Sequence, residues 1–159
     1  MAPKVGDPLP DATLFEGDPE TKVSIKQLFG NKKGVLFAVP GAFTPGCTKT
    51  HLPSFLNDYD KLKAGGVEVI ACVAVNDPFV TNAWGEAAGG TGKVRFLADP
   101  FLEFTKALGV VLEAEKMLGT NRSKRYSAVI EGGKFKSFNL EADGMGTTCS
   151  LAPNLISQL

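Results

Sequence analysis

Gly34-Val35-Leu36-Phe37-Ala38-Val39-Pro40-Gly41-Ala42-Phe43-Thr44-Pro45-Gly46-Cys47 is the stretch from which the fold is read. Its first six residues are short, apolar, β-branched and uncharged, the character of a buried strand. Behind Cys47, apolar residues return at helical spacing through Thr48-Lys49-Thr50-His51-Leu52-Pro53-Ser54-Phe55-Leu56. Thr44 and Pro45 read as a helix start, with Thr at the N-cap and Pro at the first helical position. That register puts Cys47 third in the helix, where free backbone N–H groups and the positive dipole end favour an anionic sulfur. The competing reading is a buried cysteine on an ordinary strand-to-helix turn, behaving as a small hydrophobe.

Working outward, the helix begun at residue 45 is expected to run to about 63, with a kink at Pro53. Gly65-Gly66 closes it, and a strand follows over 67–75. Strand, helix and strand make a βαβ unit with parallel strands. A weaker second unit reads as a helix over 78–88 behind Asp77-Pro78, a strand over 94–98 and a helix over 100–108. Residues 125–130 and 135–140 alternate, and Gly132-Gly133 can turn them into a hairpin. Before the first strand, Pro3, Pro8 and Pro10 make an irregular lead-in, with a short strand at 12–15 and a short helix at 24–29 ended by Gly30. No repeat, low-complexity run or linker divides the chain. One domain over 1–159 is expected, an α/β thioredoxin-like fold whose mixed β-sheet is flanked by helices.

Composition narrows the function classes. Lys and Arg equal Asp and Glu at 17 each, which gives no electrostatic case for nucleic acid or an anionic membrane. The most apolar run, Val67 to Val75, is too short to span a bilayer and carries Glu68. Three widely spaced cysteines make a poor disulfide framework, and an intracellular, reducing compartment is the default.

The reactive residue types allow several readings. Cys47, His51, Cys72 and Cys149 supply the count of a Cys₃His zinc site, and Cys47 and His51 lie one helical turn apart. Against zinc, Cys72 sits mid-strand and no close Cys-x-x-Cys pair exists. A Cys47–His51 pair for acyl transfer lacks a third, orienting group. His51 is therefore read as a structural residue that hydrogen-bonds locally and can tune the site. Cys72, on a strand buried on both faces, is expected to be neutral and inert. Cys149 follows Glu141 to Thr148, a polar loop with two glycines, which suits a mobile partner thiol as well as a loop thiol without function. Arg122, Lys124 and Arg125 are either a solvated basic edge or the source of one guanidinium against the thiolate. Alternation places Arg125, Ser127 and Val129 on one face, which favours Arg125.

Pro40-x-x-x-Thr44-x-x-Cys47 after an apolar strand resembles the peroxidatic motif of the peroxiredoxins. Val39 to Cys47, Lys49 to Pro53, Val75-Asn76-Asp77, Leu97 to Pro100, Lys124-Arg125-Tyr126 and Thr148 to Asn154 extend the likeness to the type-five branch over essentially the whole chain. The Cys149 segment resembles the animal form, an atypical two-cysteine enzyme. The resemblance implies a thiol peroxidase in which Cys47 attacks hydrogen peroxide, alkyl hydroperoxides or peroxynitrite and becomes a sulfenic acid. It implies an active site of Pro40, Thr44, Cys47 and Arg125, with the backbone N–H groups of Gly46 and Cys47 as donors to the peroxide. It further implies that Cys149 closes an intramolecular disulfide with Cys47, that thioredoxin reduces it, and that no flavin, haem or metal is needed. Family members commonly pair as homodimers. Ser157-Gln158-Leu159 is similar to the peroxisomal Ser-Lys-Leu address, with Gln for Lys, so cytoplasm, peroxisome and mitochondrion are the compartments expected. The alternative is a zinc-binding or thiol-based interaction module without turnover.

Overall fold

In the computed structural model, which describes residues 1–159, the stretch Gly34–Val39 is strand β3 and is buried at every position. In chain order the other strands are β1 (Thr13–Phe15), β2 (Lys22–Ser24), β4 (Val69–Ala74), β5 (Arg95–Ala98), β6 (Val111–Leu112), β7 (Arg122–Ser123), β8 (Tyr126–Glu131) and β9 (Lys134–Leu140). The helices are α1 (Ile25–Phe29), α2 (Leu52–Asn57), α3 (Tyr59–Ala64), α4 (Pro78–Ala87), α5 (Glu103–Ala107), α6 (Glu115–Leu118) and α7 (Ala152–Ile156). A seven-stranded sheet in the order β2-β1-β5-β4-β3-β8-β9 carries the fold. β3 pairs parallel with β4 and antiparallel with β8, so the sheet is mixed in the thioredoxin-like manner.

The period of two along β3 divides the core. Val35, Phe37 and Val39 join a cluster with Cys47, Leu52, Phe55, Cys72, Trp84, Val129 and Leu155 on one face. Leu36 and Ala38 join Phe29, Val73, Phe104, Tyr126 and Phe135 on the other. Each face is closed by helices or loops, which is why β3 reads as a continuous apolar run rather than an alternating one. The β8–β9 hairpin turns at Gly132 and Gly133, both at positive φ, the backbone that a two-residue hairpin loop requires.

The structure corrects the sequence reading at several elements. The expected helix over 45–63 is three pieces: a start at Pro45-Gly46 that widens into a π turn over Cys47–His51, then α2, then α3 beyond a break at Asp58. Pro53 explains the widening. It has no N–H and its ring crowds the carbonyl four residues back, so the turn before it opens and Leu52 N–H bonds the Cys47 carbonyl five residues away. The expected helix over 100–108 shortens to α5 because Asp99 accepts from the N–H groups of Phe104 and Thr105, and Leu102 at the N-cap takes a left-handed backbone. Strands β2, β6 and β7 and helices α6 and α7 were not anticipated. The proline-rich lead-in is also more ordered than expected: Gly6 and Leu9 N–H groups bond Phe135 and Gly133 carbonyls, and Phe135 N–H bonds Asp7 O.

Candidate active site

Cys47 sits where the sequence places it, third in the helix, and is fully buried. Thr44 O accepts the Thr48 N–H at 3.0 Å, so Thr44 is the N-cap by backbone. Its side chain does not cap. The Thr44 hydroxyl lies 2.8 Å from Cys47 Sγ and 2.7 Å from Gly41 O. The N–H groups of Gly46 and Cys47 have no acceptor in the protein, as the first turn of a helix leaves them.

Arg125 meets the same sulfur from across the sheet. It is 3% exposed, and its three groups point three ways. Nη2 donates to Cys47 Sγ at 3.4 Å, Nη1 to His51 Nδ1 at 3.1 Å and Nε to Met145 O at 3.1 Å. No carboxylate lies within ion-pair reach of it. A buried cation without a counter-ion is costly, so this guanidinium favours an anion at the sulfur. Gly46 leaves room for this fork: a Cβ there would stand 3.0 Å from Arg125 Nη2. Arg122 takes a different place. Its Nη1 donates to Pro40 O at 3.3 Å, and a Cβ on Gly41 would come within 2.7 Å of it. With Asn76, whose Oδ1 accepts the Ala42 N–H at 2.9 Å, Arg122 braces the Pro40–Ala42 wall of the site.

His51 is fully buried between Phe37 and Phe55. Burial, with the Arg125 charge beside it, pushes its pKa down to about 3. Its Nε2 lies 3.0 Å from Ser150 O, so neither ring nitrogen is free to ligate a metal, and no group of three or more His, Cys, Asp or Glu side chains is placed to hold one. Cys72 is buried in β4, and burial pushes its thiol well up.

Cys149 stands outside the Cys47 cluster, half-buried, with its thiol facing Leu140 O at 3.5 Å. Its segment is tethered, unlike the flexible loop expected from the sequence. Glu141, itself buried, accepts from the N–H and hydroxyl of Thr148, the N–H of Cys149 and the N–H and hydroxyl of Ser150. Burial alone would raise the Glu141 carboxyl, yet the Thr148 and Ser150 bonds hold it well below the usual carboxylate range. Burial and this neighbouring charge push the Cys149 thiol up. Glu141 and His51 are the residues that the sequence reading undervalued. The only sequence signal for Glu141 was an acid placed seven to nine residues before a run of small donors.

The redoxin family model matches residues 4–152. The chain is 49% identical over 153 residues to rice chloroplastic peroxiredoxin-2E-2, covering 92% of this chain and 68% of that one. It belongs to the peroxiredoxins, in the type-five branch. Among solved structures, peroxiredoxin 5 from Alvinella pompejana superposes with a TM-score of 0.85 at 44% identity, covering 98% of this chain and 95% of that one. Reduced Prx3 from Vibrio vulnificus in complex with hydrogen peroxide does so with a TM-score of 0.89 at 42% identity, covering 97% of each. The chain spans about two thirds of the length of the chloroplastic relatives it matches. As a peroxiredoxin it is a thiol-dependent peroxidase, an oxidoreductase.

Proposed function

We propose that Cys47 is the thiolate that reduces the peroxide and that Cys149 resolves the product. The observation that carries the first half is the buried Arg125, with no carboxylate partner and one fork on Cys47 Sγ. The thiolate attacks one peroxide oxygen: the S–O bond forms, the O–O bond breaks, and the departing oxygen leaves as water or an alcohol after taking a proton. Sulfur is oxidised to the sulfenic acid and the peroxide is reduced. Negative charge spreads over sulfur and both oxygens, where Arg125 and the unused N–H groups of Gly46 and Cys47 act as preorganised donors. The Thr44 hydroxyl has one proton for two acceptors, so it can keep the Gly41 bond and accept the peroxide proton, or turn to the sulfur. Pro40 brings no N–H to the site and screens the sulfur from water.

Cys149 then attacks the sulfenic sulfur; the S–S bond forms and hydroxide leaves as water. Burial and then the Glu141 charge hold the Cys149 thiol up while its segment is tethered, so release of the segment also favours its thiolate. A thioredoxin-type dithiol supplies the two electrons that reopen the bond. Hydrogen peroxide and alkyl hydroperoxides are the substrates, with peroxynitrite a third. Three unpaired cysteines suit an intracellular, reducing compartment; cytoplasm, peroxisome and mitochondrion remain the proposed sites, and a homodimer the proposed assembly.

Peroxide-treated protein, digested without reductant and mapped by mass spectrometry, tests this reading. The expected product is a monomer with one Cys47–Cys149 bond. Cys149→Ser should consume one equivalent of peroxide, stop at the sulfenic acid and lose turnover with thioredoxin. A Cys47–Cys72 bond, or a covalent dimer as the main product, would overturn the resolving role.

A further inference from the structure

We propose that His51 is a two-ended positioning residue: Nδ1 fixes the Arg125 guanidinium against Cys47, while Nε2–H holds the Ser150 carbonyl beside Cys149. This inference rests on the roles proposed above for those two cysteines.

The proton positions follow from the partners. A guanidinium only donates, so the ring nitrogen that faces Arg125 Nη1 at 3.1 Å, Nδ1, must accept. The single proton of a neutral imidazole is therefore on Nε2, 3.0 Å from Ser150 O, which can only accept. Phe37 and Phe55, with centroids 5.0 and 5.6 Å from the ring, leave it no solvent to turn toward. One side chain thus aligns the donor for the first chemical step and anchors the segment needed for the second.

The location of His51 couples the two. It closes the π turn that Cys47 opens, and the bond across that turn runs from Leu52 N–H to Cys47 O. An opening that carries Cys47 out toward Cys149 carries the imidazole with it. Both of its bonds then break together: Arg125 loses its alignment, and Ser150 O is freed, leaving the five bonds to Glu141 and the Asn154 amide on Cys149 O to hold residues 148–150. The Cys149 segment is therefore held while Cys47 is folded in and reduced, and loosened as Cys47 moves out.

His51 is the only histidine, so its ring ¹⁵N signals need no assignment. In the reduced wild type at neutral pH they should show the neutral Nε2–H tautomer; an imidazolium or the Nδ1–H tautomer would overturn the proposal. Two variants separate the ends. His51→Asn keeps an acceptor near Nδ1 and removes the Nε2 donor; His51→Gln can keep a donor near Nε2 and removes the Nδ1 acceptor. His51→Gln should slow sulfenic acid formation on the order of tenfold, the worth of a hydrogen bond to a charged group, and slow it more than His51→Asn does. His51→Asn should speed amide hydrogen exchange at Cys149 and Ser150 about fivefold, the worth of one neutral bond, and speed it more than His51→Gln does. Equal effects in both readouts, or the reverse pairing, would overturn it. Should the wild type form no sulfenic acid, the proposed function fails, and the imidazole spectrum and exchange rates still decide the role of His51.

Discussion

Arg125 spends its guanidinium on three acceptors in three directions, the Cys47 sulfur, the His51 ring and the Met145 carbonyl. A lysine offers one mobile point charge in place of this fork and could not reach all three. A preorganised donor is worth roughly 3 kcal/mol in a site of this kind. Arg125→Lys should therefore cut the rate constant for peroxide reduction about a hundredfold, as read by stopped-flow consumption of the Cys47 thiol. A rate near wild type would move the stabilising charge to the helix start. His51 carries a second consequence, in stability. The unfolded chain takes up a proton on this histidine below pH about 6.5, whereas the folded chain refuses it until about pH 3. The unfolded state thus binds more protons between these values. Stability is at its full value above the upper pKa and falls as pH drops, by about 1.4 kcal/mol per unit where the difference is one proton. Urea unfolding between pH 6.5 and 5, above the ordinary carboxylate range, should show this slope, and His51→Asn should flatten it. Sequence made Arg125 legible, because alternation through Ser127 and Val129 put it on the Cys47 face. It could not do so for His51, whose partners arrive from 74 and 99 residues away, nor for Glu141, whose surroundings read as a flexible loop.

Among the elements, the π turn over Cys47–His51 is the one that the proposed disulfide step would open. Its wide bond is a consequence of Pro53, which cannot donate to the Lys49 carbonyl. Ser54 ties the end of the turn by donating its hydroxyl to His51 O at 2.7 Å. Pro53→Ala supplies the missing N–H and removes the ring that keeps the turn wide, so the segment can tighten toward a regular helix. The expected result is a slower second phase, disulfide formation, against a first phase slowed much less; quench-flow with thiol trapping separates the two. Equal slowing of both phases would mean that the wide turn serves the peroxide pocket instead. The proline was visible in the sequence and its disruption was expected, but the form of the disruption was not. A kink and a widened turn begin from the same missing N–H, and packing of the next turn decides between them. The early end of the predicted 100–108 helix has a similar origin: Asp99 is fully committed to the N–H groups of residues 104 and 105, a choice that no periodicity records.

At the scale of the whole molecule, the sheet was the most legible feature, because apolar runs and alternating strands write their burial directly into composition. Short edge pieces escaped, since two or three residues carry no period. One of these escapes has a consequence for the protein among its neighbours. The sheet ends on one side at β2, which is three residues long. On the other side it ends at β9, which is seven. Residues 6–9 lie along the first part of β9 through bonds to Gly133 and Phe135, with a bridge between Pro8 and Lys134. A long strand with a bare rim is a template for another chain, and the prolines of this lead-in make it a poor template in its turn. Deleting residues 1–10 should therefore leave the Cys47 cluster in place yet turn β9 into an adhesive rim. Light scattering on the shortened protein should show concentration-dependent growth beyond a dimer that the full chain lacks, and a shortened chain that behaves identically would show that β9 is guarded by its own charges, Lys134 and Lys136. The first ten residues, remote from the chemistry, would then be what keeps the enzyme from polymerising.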